Sequence, residues 1–437
     1  MGTASVPLTE RRYVVPLILV TSLFFLWALG VNLNDILIPN LKKAFGLTDF
    51  QSSLIQSAFF GGYFLAALPA GWLMERVGYK EGILIGLIIC AGGALLFIPA
   101  SYLRVYGFFL LALFVMACGQ SFLEVAANPY VTILGPPQSS ERRLNTAQSF
   151  NAVGAVVTPF VGAAFILSGI ENTKAQYAAM SPEQLQAYRA YEASMVRLPY
   201  LVIAGIFLAV AALIYFSPLP EVAAAGTASG VAETEVKLRD LWAYPHLVKG
   251  VIAEFVYVGA QVGVASFVIR FAQHMISDTP EKRAAHYLQM HLIGFMLGRF
   301  AGSAIMRKVP APRLLGIFAA GSLIALGVVM FGTGSVPVWA IVLVGFFHSI
   351  MFPTIFALSE KDLGPYTKLG SSLLVMAIIG GAIVPAVMGL ISDASNIQRA
   401  FLVPLLCHAY VLYFAVSGYK PARLQQRAHP DVSASQS

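Results

Sequence analysis

Twelve separate stretches of this chain are long and apolar enough to cross a bilayer, and that count limits the fold more than any other feature. A helix needs about 20 mainly apolar residues to traverse the hydrocarbon. Runs of that kind fall at approximately 14–39, 53–75, 82–100, 106–134, 145–169, 198–217, 246–272, 285–306, 313–332, 337–359, 368–391 and 399–418. They are numbered spans 1 to 12, and polar punctuation such as Lys42-Lys43, Glu75–Lys80 and Pro136–Arg143 separates them. Only 11% of the 437 residues are charged, where a soluble domain carries about a quarter. This chain is therefore too poor in charge to cover a soluble surface. A disordered, secreted or nucleic-acid-binding protein is excluded, and an all-α membrane protein remains. Cys90, Cys118 and Cys407 each sit inside an apolar run and read as inert thiols. Arg11-Arg12 precede an apolar run in the manner of a secretory signal. No small-residue cleavage site follows it, so the run reads as an uncleaved first span.

Two loops are long. Residues 170–197 contain Ser181-Pro-Glu-Gln, which predicts a short capped helix at the membrane surface. Residues 218–245, rich in Ala, Gly, Thr and Ser, predict a cytoplasmic linker between two six-helix halves, 1–217 and 246–420. Residues 421–437 then form a tail. With the N-terminus inside, the cytoplasmic segments hold 17 basic residues against 10 outside, which places both termini in the cytoplasm. The net charge of +7 follows from those loops. The halves also echo each other. Gly71–Arg76 after span 2 matches Gly302–Arg307 after span 8, Gly154 and Pro159 match Gly380 and Pro385, and Pro129 matches Pro353. Internal repeats of this kind mark many transporters.

An ionisable group in hydrocarbon costs roughly 2.5–3.5 kcal/mol on insertion scales, so each one asks for a reason. Span 1 carries Asn32, Asn34 and Asp35; span 4 carries Gln120, Glu124 and Asn128, each four apart and so on one face. Span 5 has Gln148 and Asn151, span 7 has Glu254 and Gln261, span 8 has Gln289, His291 and Arg299, and span 10 has His348. The functional reading is a central cavity lined by spans 1, 4, 5, 7, 8 and 10. Amides there suit a polyhydroxylated neutral solute, because each offers both a donor and an acceptor. Asp35 and Glu124, with no basic partner on their own helices, suit a proton. The competing reading is hydrogen-bonded interhelical glue. Arg299 reads as a tie between helix ends, Glu254 as a gate or pairing partner, and the histidines as packed groups. Phe267, Phe295 and Phe352 are candidate apolar walls. No metal-ligand spacing and no phosphate-binding loop occur, so no metal, cofactor or direct ATP use is expected. An intramembrane enzyme needs a nucleophile–base pair or paired aspartates, and neither is found.

Gly71-Trp-Leu-Met-Glu-Arg-Val-Gly-Tyr-Lys80 resembles the loop signature of the major facilitator superfamily, with Glu75 and Tyr79 as departures. Asn32–Leu37, Gln56–Phe59, Leu123–Pro129, Arg143–Asn151, Met180–Leu185, Tyr257–Gln261 and Pro353–Phe356 resemble the L-fucose–proton symporter family within it. The resemblance runs from about residue 13 to 415. It implies the major facilitator fold, with Asp35 and Glu124 as the protonation-linked pair and Gln148 and Asn151 on the sugar cavity. With Asn32, Gln120, Gln261 and Phe352 added from the polar-face and wall arguments, these are the candidate substrate contacts. Val31, Glu254, Ala265 and Phe352 depart from the L-fucose permease pattern of Asn, Gln, Trp and Tyr. The implied function is proton-coupled import of L-fucose by a monomer in a bacterial inner membrane. Glucose, galactose or N-acetylglucosamine as substrate, or uncoupled transport, are the alternatives.

Overall fold

The computed structural model describes residues 6–166, 176, 179–217, 219–220, 237–277 and 279–421, without the side chains at 34–36, 39, 49–50, 52–53, 159, 162–164 and 281–282. The Asp35 side chain, most of the linker and the tail beyond 421 therefore lie outside the described residues. Among the described residues, helices correspond to each of the twelve spans. The first nine are Val14–Phe45, Asp49–Val77, Tyr79–Leu103, Tyr106–Ile133, Ser140–Phe165, Arg197–Phe216, Pro245–Met275, Glu281–Ile305 and Ala311–Phe331. Span 10 comes in two pieces, Val336–His348 and Met351–Ser359. Span 11 runs from Thr367 to Ala394 with a tight turn at Ala377–Ile379, and span 12 from Ile397 to Gly418. Helices are the form a membrane demands, since they satisfy every backbone polar group internally.

Ten helices among the described residues are long and apolar enough to cross a membrane. Spans 5 and 8 pack against each other across the middle of the molecule. The predicted surface helix is present as Pro182–Ser194. Ser181 and Gln184 form a reciprocal capping box that satisfies two of its free N–H groups. Gly78, at φ +89, makes the sharp turn between spans 2 and 3, a conformation that a side chain would strain.

The repeat is visible as packing. In the first half span 2 packs on 4, 3 on 4, 1 on 5 and 3 on 6; in the second, 8 on 10, 9 on 10, 7 on 11 and 9 on 12. The paired glycines show why. A Cβ on Gly154 would meet the Phe25 carbonyl of span 1 at 2.9 Å, and one on Gly380 would run into the Phe255 carbonyl of span 7. Small residues let backbones approach this closely inside a membrane.

The halves are tied together at one end. Thr146 Oγ1 lies 2.6 Å from Ser303 Oγ, Asn145 Nδ2 donates to Thr354 Oγ1 at 3.0 Å, and Lys368 Nζ donates to the Met74 carbonyl at 2.7 Å. Lys361 pairs with Glu141 in the same layer. The N-terminal segment folds onto this end, where Arg142 and Arg143 donate to the carbonyls of Val6 and Leu8. These contacts form a seam, and they seal the bundle on that side.

Candidate functional site

Above the seam lies a cavity of about 190 Å³ between the halves. Trp27, Val31, Asn32, Phe59, Phe60, Tyr63, Glu124, Gln148 and Asn151 line it from the first half. Val258, Gln261, Val262, Arg299, Phe352 and Ile378 line it from the second.

The amides of the first half are held in place. Asn151 Nδ2 donates to the Phe24 carbonyl at 3.2 Å and Asn32 Nδ2 to the Ala28 carbonyl at 2.7 Å. Each is left with its oxygen to accept. Gln148 is fixed more firmly: its Nε2 donates to Asn128 Oδ1 at 3.1 Å, and its Oε1 accepts from Arg299 at 2.8 Å. Glu124 is 6% exposed at the cavity edge and interacts with Tyr63 and Asn128.

Arg299 does more than the sequence led one to expect. It ties a helix end, bonding the carbonyl of the residue that caps Val336–His348, but it does so from the cavity floor and also crosses to the other half. Its Nη1 donates to both the backbone carbonyl (2.5 Å) and the side chain (2.8 Å) of Gln148, and its Nε donates to the Ser349 carbonyl at 2.9 Å. The Phe295 ring lies against the guanidinium at 4.7 Å. The Ser349 bond has a cause in the sequence. Pro353 has no N–H for the carbonyl four residues back and clashes with it, so span 10 breaks there. A freed carbonyl in a membrane needs another donor, and Arg299 supplies it. A proline in a span with a cation on its neighbour was the available signal.

Other candidates fall elsewhere. Gln120 is fully buried away from the cavity, against Gly30 and Phe207, and both its amide atoms lack partners among the described residues. Asn128 braces Gln148 rather than lining the cavity. Phe267 packs on Phe401 and Phe295 lies beneath Arg299, so of the three proposed walls Phe352 is the one on the cavity. Of the two histidines expected to be packed, His291 Nδ1 bonds the Ile341 carbonyl, and His348 stacks on His408, whose Nδ1 bonds the Pro404 carbonyl. Asp35 lies outside the described residues.

Two halves of six helices, related by a repeat and enclosing a cavity sealed from one side, define a membrane transporter of the alternating-access type. The comparisons agree. Residues 20–373 match the Major Facilitator Superfamily, and the chain belongs to it. It is 43% identical to the L-fucose-proton symporter of Escherichia coli K12, over 93% of each chain. It is equally 43% identical to a glucose/galactose transporter of Brucella abortus, over 94% of this chain and 96% of that one. The crystal structure of the E. coli fucose:proton symporter FucP superposes with a TM-score of 0.86 at 42% identity, covering 93% of this chain and 98% of that one. FucP in its outward conformation gives a TM-score of 0.83, covering 93% and 99%. Within the superfamily, the chain belongs to the L-fucose–proton symporter family.

Proposed function

We propose that this protein is a proton-coupled sugar symporter that imports L-fucose by alternating access. The observation that carries the reading is the cavity itself, where a buried carboxyl group, Glu124, shares one face with pre-oriented amides. The amides of Asn32, Gln148 and Asn151 read sugar hydroxyls. The apolar wall of Val258, Val262 and Ile378, with Phe352 beside it, takes the methyl group of a 6-deoxy sugar. Glu124 takes a proton from the open side, and Asp35 on span 1 relays it. Rocking of the halves then parts the seam and exposes the site to the other side.

One proton crossing 100 mV gains about 2.3 kcal/mol, equal to roughly a fiftyfold sugar gradient. Basic residues cluster around the sealed end, which supports a cytoplasmic seam, cytoplasmic termini and a bacterial inner membrane. The chain acts as a monomer, with 218–245 linking the two halves. It binds no nucleic acid and catalyses no chemical conversion.

A second reading, glucose or galactose as substrate, is favoured by the equal identity to the Brucella transporter. A counterflow screen in proteoliposomes separates the two. Unlabelled L-fucose is expected to compete best against a panel of labelled sugars; competition by galactose or glucose but not L-fucose selects the second reading. External alkalinisation on adding sugar to energised vesicles tests the coupling.

A further inference from the structure

Glu254 on span 7 is 0% exposed, and neither carboxyl oxygen has a hydrogen-bond partner among the described residues. No structural bond accounts for an acid there. Its place in the fold is informative. Gln261 lines the cavity seven residues further along the helix, so Glu254 lies about 10 Å nearer the sealed end. The direction is set by His246, whose ring bonds the Lys361 carbonyl at that end. Glu254 is thus below the cavity floor, level with the contacts that must part when the molecule opens on the other side.

Arg299 stands between two acids, within electrostatic reach of Glu124 across the cavity and of Glu254 on its own half. Its Nη1 and Nε are engaged, while Nη2 makes no hydrogen bond among the described residues. Ionisable groups on the elements packed around Glu254 include Tyr257 on the same helix, His291 on span 8, His348 and Glu360 on span 10, Lys368 on span 11, and His408 and Tyr410 on span 12. Each has another engagement. Tyr257 and His291 bond carbonyls, Glu360 accepts from Ser371, and Lys368 reaches Met74. His348 and His408 stack on each other, and Tyr410 reaches the Lys249 carbonyl. A buried ion is tolerated only when paired. One guanidinium and two carboxyl groups are therefore electrically balanced when one acid holds a proton and the other is ionised.

We propose that Glu254 is a second proton-binding site of the cycle, from which the proton leaves at the sealed end while another enters at Glu124. The inference rests on the symport reading above. A proton arriving at Glu124 with the sugar removes the anion that balances Arg299. As the seam parts, the Glu254 O–H bond breaks. The proton passes to the entering water, the bonding pair stays on the carboxylate, and that carboxylate takes Arg299 Nη2. On the return, the Glu124 proton passes through water to Glu254, which restores the starting state. One proton enters and one leaves per turnover.

The test compares the unaltered full chain with Glu254→Gln and Glu254→Asp in proteoliposomes of set internal and external pH, using labelled L-fucose, or galactose should that be the sugar carried. Glu254→Gln is expected to lower proton-driven accumulation about tenfold while counterflow falls less than about threefold. Glu254→Asp is expected to recover most of the accumulation. Infrared difference spectra taken on shifting the internal pH should show a carboxylic acid C=O band that Glu254→Gln lacks. Accumulation at the unaltered level with the band retained overturns the proposal. So does an equal loss of accumulation and counterflow that Glu254→Asp does not rescue, because that marks a structural role. Absence of sugar-dependent proton uptake by the unaltered chain overturns the symport reading as well, and is recognised by that control alone.

Discussion

The two faces of the cavity come from halves that pack their helices in the same pairs, yet their chemistry differs. The first half offers Asn32, Gln148, Asn151 and Glu124 beside the apolar and aromatic Trp27, Val31, Phe59, Phe60 and Tyr63, with each amide anchored by a hydrogen bond. The second offers mainly Val258, Val262, Phe352 and Ile378, with Gln261 and the guanidinium of Arg299 as its polar groups. A repeat thus conserves backbone packing while its side chains divide the work. On the proposed reading, the first face binds sugar hydroxyls and the proton, and the other supplies most of the remaining wall and a cation. Arg299 joins the two, which makes it the place where the comparison breaks most easily.

Arg299→Met should have the largest effect. It removes three hydrogen bonds and leaves two buried acids without a cation, a loss of about 3–5 kcal/mol for a broken buried pair. The thermal midpoint of the purified protein should fall by roughly 3–5 °C. A second change tests the cause. Pro353→Ala returns an N–H for the Ser349 carbonyl, so Arg299→Met with Pro353→Ala should regain about 1 kcal/mol over Arg299→Met. No recovery would mean that the break in span 10 is unrelated to the arginine.

Glu124→Gln comes next and breaks the polar face alone. The amide mimics a permanently protonated acid, so the roughly fiftyfold accumulation available at 100 mV should collapse toward equality while sugar exchange continues. Accumulation in energised vesicles and counterflow at matched pH report the two quantities separately. Wild-type accumulation in this variant would move the proton site elsewhere.

Asn151→Ala should weaken L-fucose binding about tenfold, within the 1–3 kcal/mol that an unmade buried hydrogen bond costs. Titration calorimetry measures it directly. Unchanged affinity would assign Asn151 to packing through its bond to the Phe24 carbonyl.

How much of this was legible follows from which forces act locally. Span number, the paired glycines and the Ser181 capping box depend on composition and short spacings, and all were readable. The span 4 stripe was readable only as a stripe. Gln120, Glu124 and Asn128 share one face, but that face passes from the packing against spans 1 and 6 to the cavity edge, so only Glu124 reaches it. Periodicity says which residues share a face, and neighbours decide what the face meets. The reach of Arg299 across to the other half was hidden for the same reason. Its partners Gln148 and Ser349 are 151 and 50 residues away, and a long side chain at a helix end can snorkel outward or reach inward. The phenylalanines of span 7 and span 8 carried no positional signal beyond their spans.

Gln261→Leu should produce the smallest change, and it sharpens the comparison most directly. Gln261 is the one amide that the second half places on the cavity among the described residues. It faces the same space as Asn151, and among the described residues its amide makes no hydrogen bond of the kind that fixes Asn151 to Phe24 or Asn32 to Ala28. A longer side chain without such an anchor must be ordered when it binds, at about 0.5–1.5 kcal/mol for an immobilised side chain. That offsets most of the 0.5–1.5 kcal/mol that a neutral hydrogen bond returns. Binding of L-fucose to Gln261→Leu should therefore weaken about threefold or less, against about tenfold for Asn151→Ala. Calorimetry on the two variants in one lipid preparation gives the ratio. A loss at Gln261 equal to or larger than that at Asn151 would show that both halves read hydroxyls, and the division between a reading face and a shaping face would fail.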